Sequence, residues 1–253
     1  MYGAERQQLL AQQARTDGRI DVTAASEALG VAPETIRRDL GALERQGLVR
    51  RVYGGAVLLE RLDFEPEVNQ RDQTRSDEKD RIARAALGLV PQRGTVLLDA
   101  GTTTNRLAAL LPQDRELTIV TNSLPAAAQL AAQGHTNLHV LGGRVRGTTL
   151  ATVESWALNV LGGVTVDVGF FGTNGFSAAG GCTTPDTAES AVKTAMVQAC
   201  RRRVLLSDHS KYGDDQFIRF AALDEIDVVV TDNGLDEQAV GELGEAEVEL
   251  VLA

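Results

Sequence analysis

Residues 35–40, with the sequence TIRRDL, contain the first side chains whose types and spacing suggest a chemical task. The guanidinium groups of Arg37 and Arg38 can bind phosphates or guanine edges, and the hydroxyl of Thr35 can meet a phosphate or a base. Apolar residues recur here at i, i+4 and i+7, so they share one face of a helix and leave the polar side chains on the others. These apolar residues are Ile36, Leu40 and Leu43. Alone, the stretch fits either a helix that reads a DNA groove or an amphipathic surface helix that carries arginine.

A second polar stretch, residues 99–105, has the sequence DAGTTTN and follows an apolar run. Gly101 lets the backbone approach a ligand closely. The hydroxyls of Thr102, Thr103 and Thr104, with free amides at a helix N-terminus, can hold an anion. The alternative is a hydroxyl-rich helix cap without a ligand, but a glycine and three threonines exceed what a cap needs. The stretch is neither GxGxxG nor a Walker loop, so it indicates phosphate and not a nucleotide.

The elements around residues 35–40 are predicted to form a helix-turn-helix. In chain order they are a helix over 4–15, an extended piece at 20–22, a helix over 24–29, a turn at 31–33 and a helix over 34–46. Thr23 is expected to cap the second helix, and Gly30 and Gly47 are expected to end the second and third helices. A helix, a tight turn and a second helix that exposes arginine are typical of DNA-binding proteins.

Two β-prone runs within residues 48–57 flank Gly54-Gly55, which indicates a hairpin. Arg50, Arg51 and Tyr53 lie just before this turn. A basic hairpin directly after a helix-turn-helix is the wing of a winged helix, which contacts the phosphate backbone or the minor groove. The residues expected to contact DNA are therefore Thr35, Arg37, Arg38, Arg50, Arg51 and Tyr53.

The charge of the chain is unevenly distributed. The 253 residues carry a formal net charge of -10, which argues against a general polyanion binder. Residues 1–59 hold eight arginines and seven acids, a net of +1, and residues 35–55 hold five arginines and two acids, a net of +3. A local basic patch on an acidic protein favours targeted contact with double-stranded DNA over nonspecific coating.

The remainder of the chain is expected to be a linker over 58–76, which is polar and interrupted by Pro66, and an α/β domain over 77–253. The first domain is then residues 1–57. Strands without polar alternation, buried on both faces, alternate with helices, which predicts a doubly wound, mostly parallel sheet. The predicted strands are 95–99, 117–120, 138–141, 166–171, 204–206, 228–230 and 248–251. The predicted helices are 77–89, 105–111, 124–133, 155–161 and 187–200.

Small polar loops follow five of the predicted strands. Ligands of such sheets bind outside the carboxyl ends of the strands, so these loops are expected to converge on one polar pocket, although any one of them alone would be interpreted as an ordinary turn. The loops are 99–105, 121–123, 142–143, 172–175 and 207–211. Asn and Asp side chains suit sugar hydroxyls, and Lys211 suits a phosphate as a point charge.

Lysine is scarce here, with Lys79, Lys193 and Lys211 as the only three among 25 basic residues. Lys193 can pair with Glu189 on the surface of one helix, or both side chains can line the pocket. Arg71 is more simply interpreted as a solvated linker charge than as a ligand or partner contact.

The spacing of the cysteines and histidines indicates neither a disulfide framework nor a metal site. Cys182 and Cys200 make neither a disulfide framework nor a metal knuckle, and the three histidines have no ligand spacing with them. Neither a signal peptide nor an apolar run long enough for a bilayer is apparent, so a cytoplasmic protein without membrane contact is expected. No cofactor or metal is indicated.

The first domain resembles the DeoR family of bacterial repressors. The resemblance is carried by residues 35–40, Leu43-Glu44, Gly47 and Gly54-Gly55-Ala56, with matched spacing. Two residues depart from the family pattern. Ala32 stands where a hydroxyl residue usually caps the recognition helix, and such a cap stabilises a helix by about 1 kcal/mol. Tyr53 stands where histidine is more frequent.

The second half is similar to the effector domain of the same family. The matching residues are Asp99 to Thr104, Thr121-Asn122, Gly142-Gly143, Glu189 and residues 208–211. The resemblance implies a fold like that of the sugar-phosphate isomerases related to ribose-5-phosphate isomerase and glucosamine-6-phosphate deaminase. It also implies a phosphorylated sugar as effector, with the phosphate at Gly101 to Thr104 and Lys211.

The expected function is a transcriptional repressor of a sugar-catabolic operon, a homodimer or higher homo-oligomer without catalytic residues. The alternative is a sugar-phosphate isomerase fused to a DNA-binding head, with Asp99, Glu189 or Asp208 as its base. The expected effector-binding residues are Asp99, Gly101, Thr102, Thr103, Thr104, Thr121, Asn122, Gly142, Gly143, Asn174, Glu189, Asp208 and Lys211.

Overall fold

The computed structural model describes residues 3–17, 19–52, 54–58 and 65–253. The chain forms two compact units, Met1–Pro66 and Glu67–Ala253. Within the described residues, no helix combines the length and apolar composition that a membrane span requires.

The first unit is a winged helix-turn-helix. Its elements are α1 (Gly3–Asp17), β1 (Arg19–Asp21), α2 (Val22–Leu29), α3 (Pro33–Arg45), β2 (Val49–Val52) and β3 (Gly55–Leu58). The three strands form an antiparallel sheet in the order β1-β3-β2. Its core joins Leu10 and Ala14 of α1 to Ile20 and to the buried face of α3.

Helix α3 is positioned by its apolar face and by one buried carboxylate. Ile36, Leu40 and Leu43 are buried, as the periodicity predicts. The carboxylate of Asp39, also buried, accepts hydrogen bonds from Arg6 Nε at 2.5 Å and Gln7 Nε2 at 3.0 Å of α1. The apolar contacts and this polar pair together fix α3 against α1.

The helix starts in this unit differ in part from the prediction. Ala32 occupies the N-cap of α3 without a side-chain hydrogen bond, as its side chain dictates. The prediction of Thr23 as the cap of α2 is wrong, because α2 begins at Val22. The carboxylate of Asp21 accepts the backbone N–H groups of Thr23 and Ala24, both at 2.9 Å.

The hairpin of β2 and β3 turns at Gly54-Gly55, as predicted. Gly54 has a φ of +82°, in the left-handed region that favours glycine. At Gly55, a Cβ atom would overlap the carbonyl oxygen of Ile20. The hairpin is tied to α3 because Glu44 Oε1 accepts the N–H of Arg51 at 2.8 Å.

The second unit is built on one seven-stranded sheet in the order β15-β14-β12-β9-β4-β5-β6, in which all strands are parallel. Its helices are α4 (Val68–Gln73), α5 (Ser76–Leu87), α6 (Thr102–Leu110), α7 (Leu124–Ala132), α8 (Ser155–Leu161), α9 (Thr187–Ala199) and α10 (Glu237–Glu245). The strands of the large sheet are β4 (Arg93–Leu98), β5 (Glu116–Thr121), β6 (Leu138–Val140), β9 (Val166–Phe171), β12 (Cys200–Leu206), β14 (Val228–Thr231) and β15 (Glu249–Leu252). The smaller sheets hold β7 (Arg144–Arg146), β8 (Ala151–Val153), β10 (Gly175–Ser177), β11 (Gly181–Thr184) and β13 (Ile218–Ala221).

Both faces of the large sheet are buried. Leu97 and Phe171 belong to one apolar cluster, whereas Val96, Leu98 and Phe170 belong to another. Alternate residues of a strand point to opposite faces, so a sheet covered on both sides requires uninterrupted apolar strands. The doubly wound α/β prediction is confirmed.

Several short elements of the second unit differ from the sequence prediction. Residues 68–73 form helix α4 within the predicted linker, and α6 begins at Thr102 instead of Asn105. The β7–β8 hairpin, the β10–β11–β13 sheet and α10 were not predicted. Strands of three or four residues carry too few positions for a periodic pattern. Helix α4 has no buried residue, so its composition resembles that of a linker.

A test of the hairpin packing is the Gly55→Ala variant. The added Cβ would collide with backbone at Ile20, so we expect the first unit to lose about 2–3 kcal/mol of unfolding free energy. Scanning calorimetry of the full chain should show the lower transition. Gly41→Ala is the control, since its Cβ would meet only Arg side-chain ends at ordinary contact distance in mid-helix. That change should be neutral or stabilise by about 0.5–1 kcal/mol. Equal midpoints for both variants would contradict the packing argument.

Candidate functional site

A buried ion pair joins the loops after β4 and β9. Asp99 is fully buried, and its Oδ2 accepts hydrogen bonds from Lys193 Nζ of α9 and from the backbone N–H of Gly172 at 3.0 Å. Lys193 Nζ also donates to the carbonyl of Gly172 at 3.0 Å and lies 5.1 Å from the ring centroid of Phe220. The surface pair of Lys193 with Glu189 is therefore wrong. Asp99 Oδ1 is buried without a hydrogen-bond partner among the described residues.

The loop after β12 brings Lys211 to the same edge of the sheet. Lys211 Nζ donates to the carbonyl of Thr173, in the loop after β9, at 2.7 Å. Burial lowers the pKa of Lys211 to about 7, although the nearby Asp208 carboxylate acts in the opposite direction. Burial alone would raise the pKa of Asp208, but Lys211 and the hydrogen bond from Ser210 outweigh it, so that pKa is lowered. Arg75 Nε lies 3.7 Å from Asp208 Oδ1.

The other two lysines of the chain, Lys79 and Lys193, lie near enough to Lys211 for their charges to act on it. Lys79 of α5 is buried, and its Nζ donates to the carbonyls of Arg71 and of Thr74, the latter at 2.7 Å. Burial lowers the pKa of Lys79 to about 8, opposed by the charge of Asp208. The charges of Lys79 and Lys193 in turn lower the pKa of Lys211. We call Lys79, Lys193 and Lys211 the lysine cluster.

The threonine loop, residues 101–104, opens helix α6 beside this cluster. Thr104 Oγ1 lies within hydrogen-bonding distance of two carbonyl oxygens, that of Asp99 at 2.6 Å and that of Gly101 at 2.9 Å. The hydroxyl therefore holds the loop in its conformation. The hydroxyls of Thr102 and Thr103 have no hydrogen-bond partner in the described part of the chain, although both residues are buried. The first N–H groups of a helix have no partner within it, so this end of α6 presents unused donors.

Thr121 and Asn122 hold neighbouring loops in place. Thr121 Oγ1 donates to the carbonyl of Leu98 at 2.7 Å, and Asn122 Oδ1 accepts the N–H of Ala100 at 2.9 Å. Both side chains are buried. Their contacts hold the chain on either side of Asp99, directly before the threonine loop, and the ligand contact expected of them stays a prediction.

Gly142 and Gly143 lie between β6 and β7. Gly143 has a φ of +141°, and a Cβ there would overlap the carbonyl of Val153. A Cβ atom at Gly142 would meet only the ring of Trp156, at ordinary contact distance. Asn174 is half-buried, and its N–H donates to the carbonyl of Thr183 at 3.1 Å.

Glu189 belongs to a network one helical turn from Lys193. Its Oε1 accepts hydrogen bonds from Thr149 Oγ1 and from Arg146 Nη1 at 3.3 Å. Arg146 Nε also lies 3.0 Å from a carboxylate oxygen of Asp186, the N-cap of α9. These contacts tie the β7–β8 hairpin to α9, so the Glu189 carboxylate already has one basic partner and one hydroxyl donor.

In the first unit, α3 presents the predicted DNA-contact side chains to solvent. Arg37 and Arg38 are exposed, and Thr35 is half-buried. Arg37 pairs with Glu34 at 3.1 Å, and both partners are more than half exposed. Arg51 is also exposed. Tyr53 and the side chain of Arg50 lie outside the described residues.

Sequence reasoning missed Lys79 and Arg75 as members of the site, and it left Lys193 open between a helix-surface pair and the pocket. The scarcity of lysine was the available signal, since all three lysines lie in one cluster. Arg71, interpreted as a solvated linker charge, instead lies half-buried in α4. The nearness of these residues to the strand-end loops depends on how α4, α5 and α9 pack, which spacing along the chain does not reveal.

The fold defines a two-domain protein with a winged-helix DNA-binding unit followed by an α/β unit that carries polar, cationic loops at its sheet edge. Two family models give the particular family. The DeoR-like helix-turn-helix domain matches residues 6–61, and the DeoR C terminal sensor domain matches residues 74–233. The chain belongs to the DeoR family of transcriptional regulators.

Relatives of known name agree with this membership. The chain is 35% identical over 252 residues to the HTH-type transcriptional regulator GlpR of Haloferax volcanii, covering 99% of this chain and 98% of that one. It is 30% identical over 232 residues to the glycerol-3-phosphate regulon repressor of Escherichia coli strain K12, covering 92% of each. It is also partly similar to ribose 5-phosphate isomerase A of Methanocaldococcus jannaschii, with a TM-score of 0.41, 18% identity and 55% of each chain covered.

The Asp99–Lys193 pair makes a stability prediction. Lys193→Met should cost about 3 kcal/mol or more in the unfolding free energy of the second unit, because it leaves the buried Asp99 carboxylate without its cation. Urea unfolding followed by circular dichroism measures the loss. The double variant Asp99→Asn with Lys193→Met should recover part of it, since no uncompensated charge then remains. A double variant no more stable than Lys193→Met alone would argue against the charge explanation.

Proposed function

We propose that the protein is a repressor of a sugar-catabolic operon whose operator affinity is changed by a phosphorylated sugar bound at the sheet edge of the second unit. The observation that carries this proposal is the lysine cluster beside the threonine loop. Lys79 and Lys193 are buried and Lys211 is half-buried, and like charges held out of water are unfavourable. A phosphate would relieve their repulsion and use the unpaired hydroxyls.

The phosphate is best placed between Lys211, Thr102 and Thr103 at the N-terminus of α6. Lys211 supplies a point charge, the hydroxyls donate hydrogen bonds, and the helix end favours an anion. Lys193 is less available because Asp99 and Gly172 already hold its ammonium group. Asn174 and the unpartnered Asp99 Oδ1 are the candidates for sugar hydroxyls.

The name of one relative supports this ligand class. The repressor of Escherichia coli is named for the glycerol-3-phosphate regulon, and glycerol 3-phosphate is a phosphorylated polyol. That name belongs to the relative, so it supports a phosphorylated polyol or sugar as the chemical class and does not identify the compound for this chain.

Regulation requires a difference in effector affinity between two states of the protein. An effector shifts the DNA-binding equilibrium only if it binds the DNA-competent and DNA-incompetent states unequally. The proposed DNA contacts are Thr35, Arg37, Arg38, Arg50, Arg51 and Tyr53, with α3 in the major groove and the hairpin along the backbone. Winged helices of this kind usually read paired half-sites, so a homodimer or higher homo-oligomer is the proposed binding form.

None of the three carboxylates that the enzyme alternative offers is well suited to act as its base. An isomerase needs a carboxylate poised beside a substrate carbon, with a pKa near the working pH. Asp99 is paired with Lys193, Glu189 with Arg146, and the pKa of Asp208 is lowered. Regulation is the better explanation, and measurable isomerisation of a pentose or hexose phosphate by the purified protein would revive the alternative.

Arg37→Ala and Arg38→Ala should each weaken operator binding by about 1–3 kcal/mol while the fold stays intact. Arg38 has no ion pair among the described residues, whereas Arg37 gives up its exposed pair with Glu34. Fluorescence anisotropy with the upstream DNA at matched salt measures the effect. Arg93→Ala, which removes an equal exposed charge from the second unit, is the control. Unchanged affinity in both α3 variants would remove the assignment of α3 as the reading helix.

Lys211→Ala should leave operator binding intact but abolish its response to effector, because the phosphate loses its nearest cation. The measurement titrates a panel of sugar phosphates against the protein–operator complex, with thermal stability followed in parallel. A variant that still responds at the wild-type effector concentration would show that the phosphate is placed wrongly.

Phosphate affinity should fall as pH rises above about 7. Burial lowers the pKa of Lys211 to about 7, so binding a phosphate above this pH requires uptake of a proton. The affinity then falls by up to about tenfold per pH unit, while the phosphate itself stays dianionic. Calorimetric titration of a sugar phosphate between pH 6.5 and 8.5 measures the slope. Lys211→Arg keeps its charge throughout and should flatten the profile near pH 7.

The stability of the ligand-free protein should change in the opposite direction. The pKa of Lys211 is lower in the folded state than its ordinary value of 10.5. Between these two values the unfolded state binds more protons, so this lysine makes stability rise with pH across that window. An affinity profile and a stability profile that both fell with pH would contradict the assignment to Lys211.

A further inference from the structure

A histidine–carboxylate pair joins the loop of Lys211 to the neighbouring strand β14 of the large sheet. Asp232 follows β14 directly and is buried. Its Oδ2 lies 2.7 Å from Nδ1 of His209, and its Oδ1 accepts the backbone N–H of His209 at 2.8 Å. A carboxylate only accepts hydrogen bonds, so Nδ1 carries the proton of the side-chain bond. Asp232 therefore holds both the backbone and the side chain of one residue.

The imidazole ring of His209 is also fixed by close packing. A Cβ atom built on Gly234 would lie 2.3 Å from Nδ1 and 2.5 Å from Cγ of this ring. The ring therefore lies directly on the backbone of Gly234, where any side chain would displace it. The N–H of Gly234 donates to the same Asp232 Oδ2 at 3.2 Å. The hydrogen bond and the glycine contact together restrict the orientation of the ring.

His209 begins the single 3-10 turn that ends with Lys211. The carbonyl of Asp208 accepts the N–H of Lys211 at 3.2 Å, and the carbonyl of His209 accepts the N–H of Tyr212 at 3.1 Å. A one-turn helix forms too few internal hydrogen bonds to be stable by itself, so it needs contacts from outside the turn. Asp232 supplies two such contacts at the first residue of the turn.

We propose that His209 and Asp232 are positioning residues for Lys211, whose ammonium group they hold where it meets the effector phosphate. This inference rests on the proposed function and adds two residues that act through Lys211 without touching the phosphate. A phosphate contact requires the ammonium group within hydrogen-bonding distance, and a binding group whose supporting contacts are missing loses this precision. The turn also directs Lys211 Nζ to the carbonyl of Thr173.

The place of the pair favours a role in the site over a role in stability. A buried carboxylate is costly to folding unless donors surround it, and an apolar residue of similar size stabilises a core at least as well. Asp232 stands at the carboxyl end of β14, the edge of the sheet where ligands of such folds bind. Its hydrogen bonds go to the loop that carries Lys211 and to Gly234.

Inorganic phosphate tests the inference, because it needs only the phosphate half of the site. His209→Ala should weaken phosphate binding by about tenfold or more, the effect of losing one charge-assisted hydrogen bond that holds the turn. His209→Asn should stay within about threefold of the wild type, since its Nδ2 replaces Nδ1 as the donor to Asp232. Calorimetric titration of the full chain measures both affinities. A His209→Asn variant as weak as His209→Ala would overturn the hydrogen-bond explanation.

Gly234→Ala tests the same contact while both partners stay in place. The added Cβ displaces the ring of His209 from Asp232, so phosphate affinity should again fall by about tenfold. His139→Ala removes an exposed imidazole from β6 and is the matched control, which should bind phosphate as the wild type does. Wild-type affinity in both Gly234→Ala and His209→Ala would refute the inference, because the backbone bond to Asp232 would then suffice.

Hydrogen exchange tests the turn without any ligand. The N–H of Tyr212 bonds to the carbonyl of His209, so its exchange reports whether the turn is formed. His209→Ala should accelerate this exchange by about tenfold or more, and His209→Asn should restore the wild-type rate. Equal rates in the wild type and His209→Ala would refute the inference and leave the proposed function standing.

A different result would refute the proposed function itself. If exchange accelerates in His209→Ala but the wild type binds neither inorganic phosphate nor any sugar phosphate, the proposed function is wrong. The inference then falls with it, because the pair would support a turn whose lysine has no phosphate to meet.

Discussion

The second unit depends on one buried ion pair, Asp99 with Lys193. A fully buried carboxylate is stable only if it is paired and hydrogen-bonded, and Asp99 obtains both from Lys193 and the backbone of Gly172. These contacts bind the loop after β4 to the loop after β9, and bind both to helix α9. The threonine loop follows Asp99 directly, and the Lys211 loop contacts the loop after β9 through the carbonyl of Thr173.

The same site gathers positive charge that the protein itself only partly neutralises. Lys79, Lys193 and Lys211 share two acidic partners, Asp99 and Asp208. Burial lowers the pKa of Lys79 to about 8 and that of Lys211 to about 7, because it disfavours their charged forms. Several cations with few anionic partners do not stabilise a fold, whereas an anion-binding site uses such cations. In the proposed function, the cost of the site and its affinity for phosphate have the same electrostatic origin.

The first unit, in contrast, follows mostly from interactions between residues that are close in the sequence. The i, i+4, i+7 spacing of Ile36, Leu40 and Leu43 fixes which face of α3 is buried, and so leaves Arg37 and Arg38 exposed. The orientation of α3 also uses a contact of long sequence separation, since Asp39 is held by Arg6 of α1. The family pattern identifies the hairpin at Gly54-Gly55, but the reason for Gly55 lies at Ile20 in a distant strand.

By itself, the sequence determined the winged helix, the doubly wound sheet and the polar strand-end loops. These follow from periodicity, helix caps and glycine turns, which act between residues close in the chain. Only the tertiary structure decided the composition of the candidate site. Lys193 reaches Asp99 across 94 positions, and Lys79 reaches the Asp208 loop from helix α5. It also gave Thr121 and Asn122 hydrogen bonds that hold neighbouring loops, and formed helix α4 within the predicted linker. Side chains that meet by helix packing leave no local pattern, because their partners are set by the burial of other residues on the same helices.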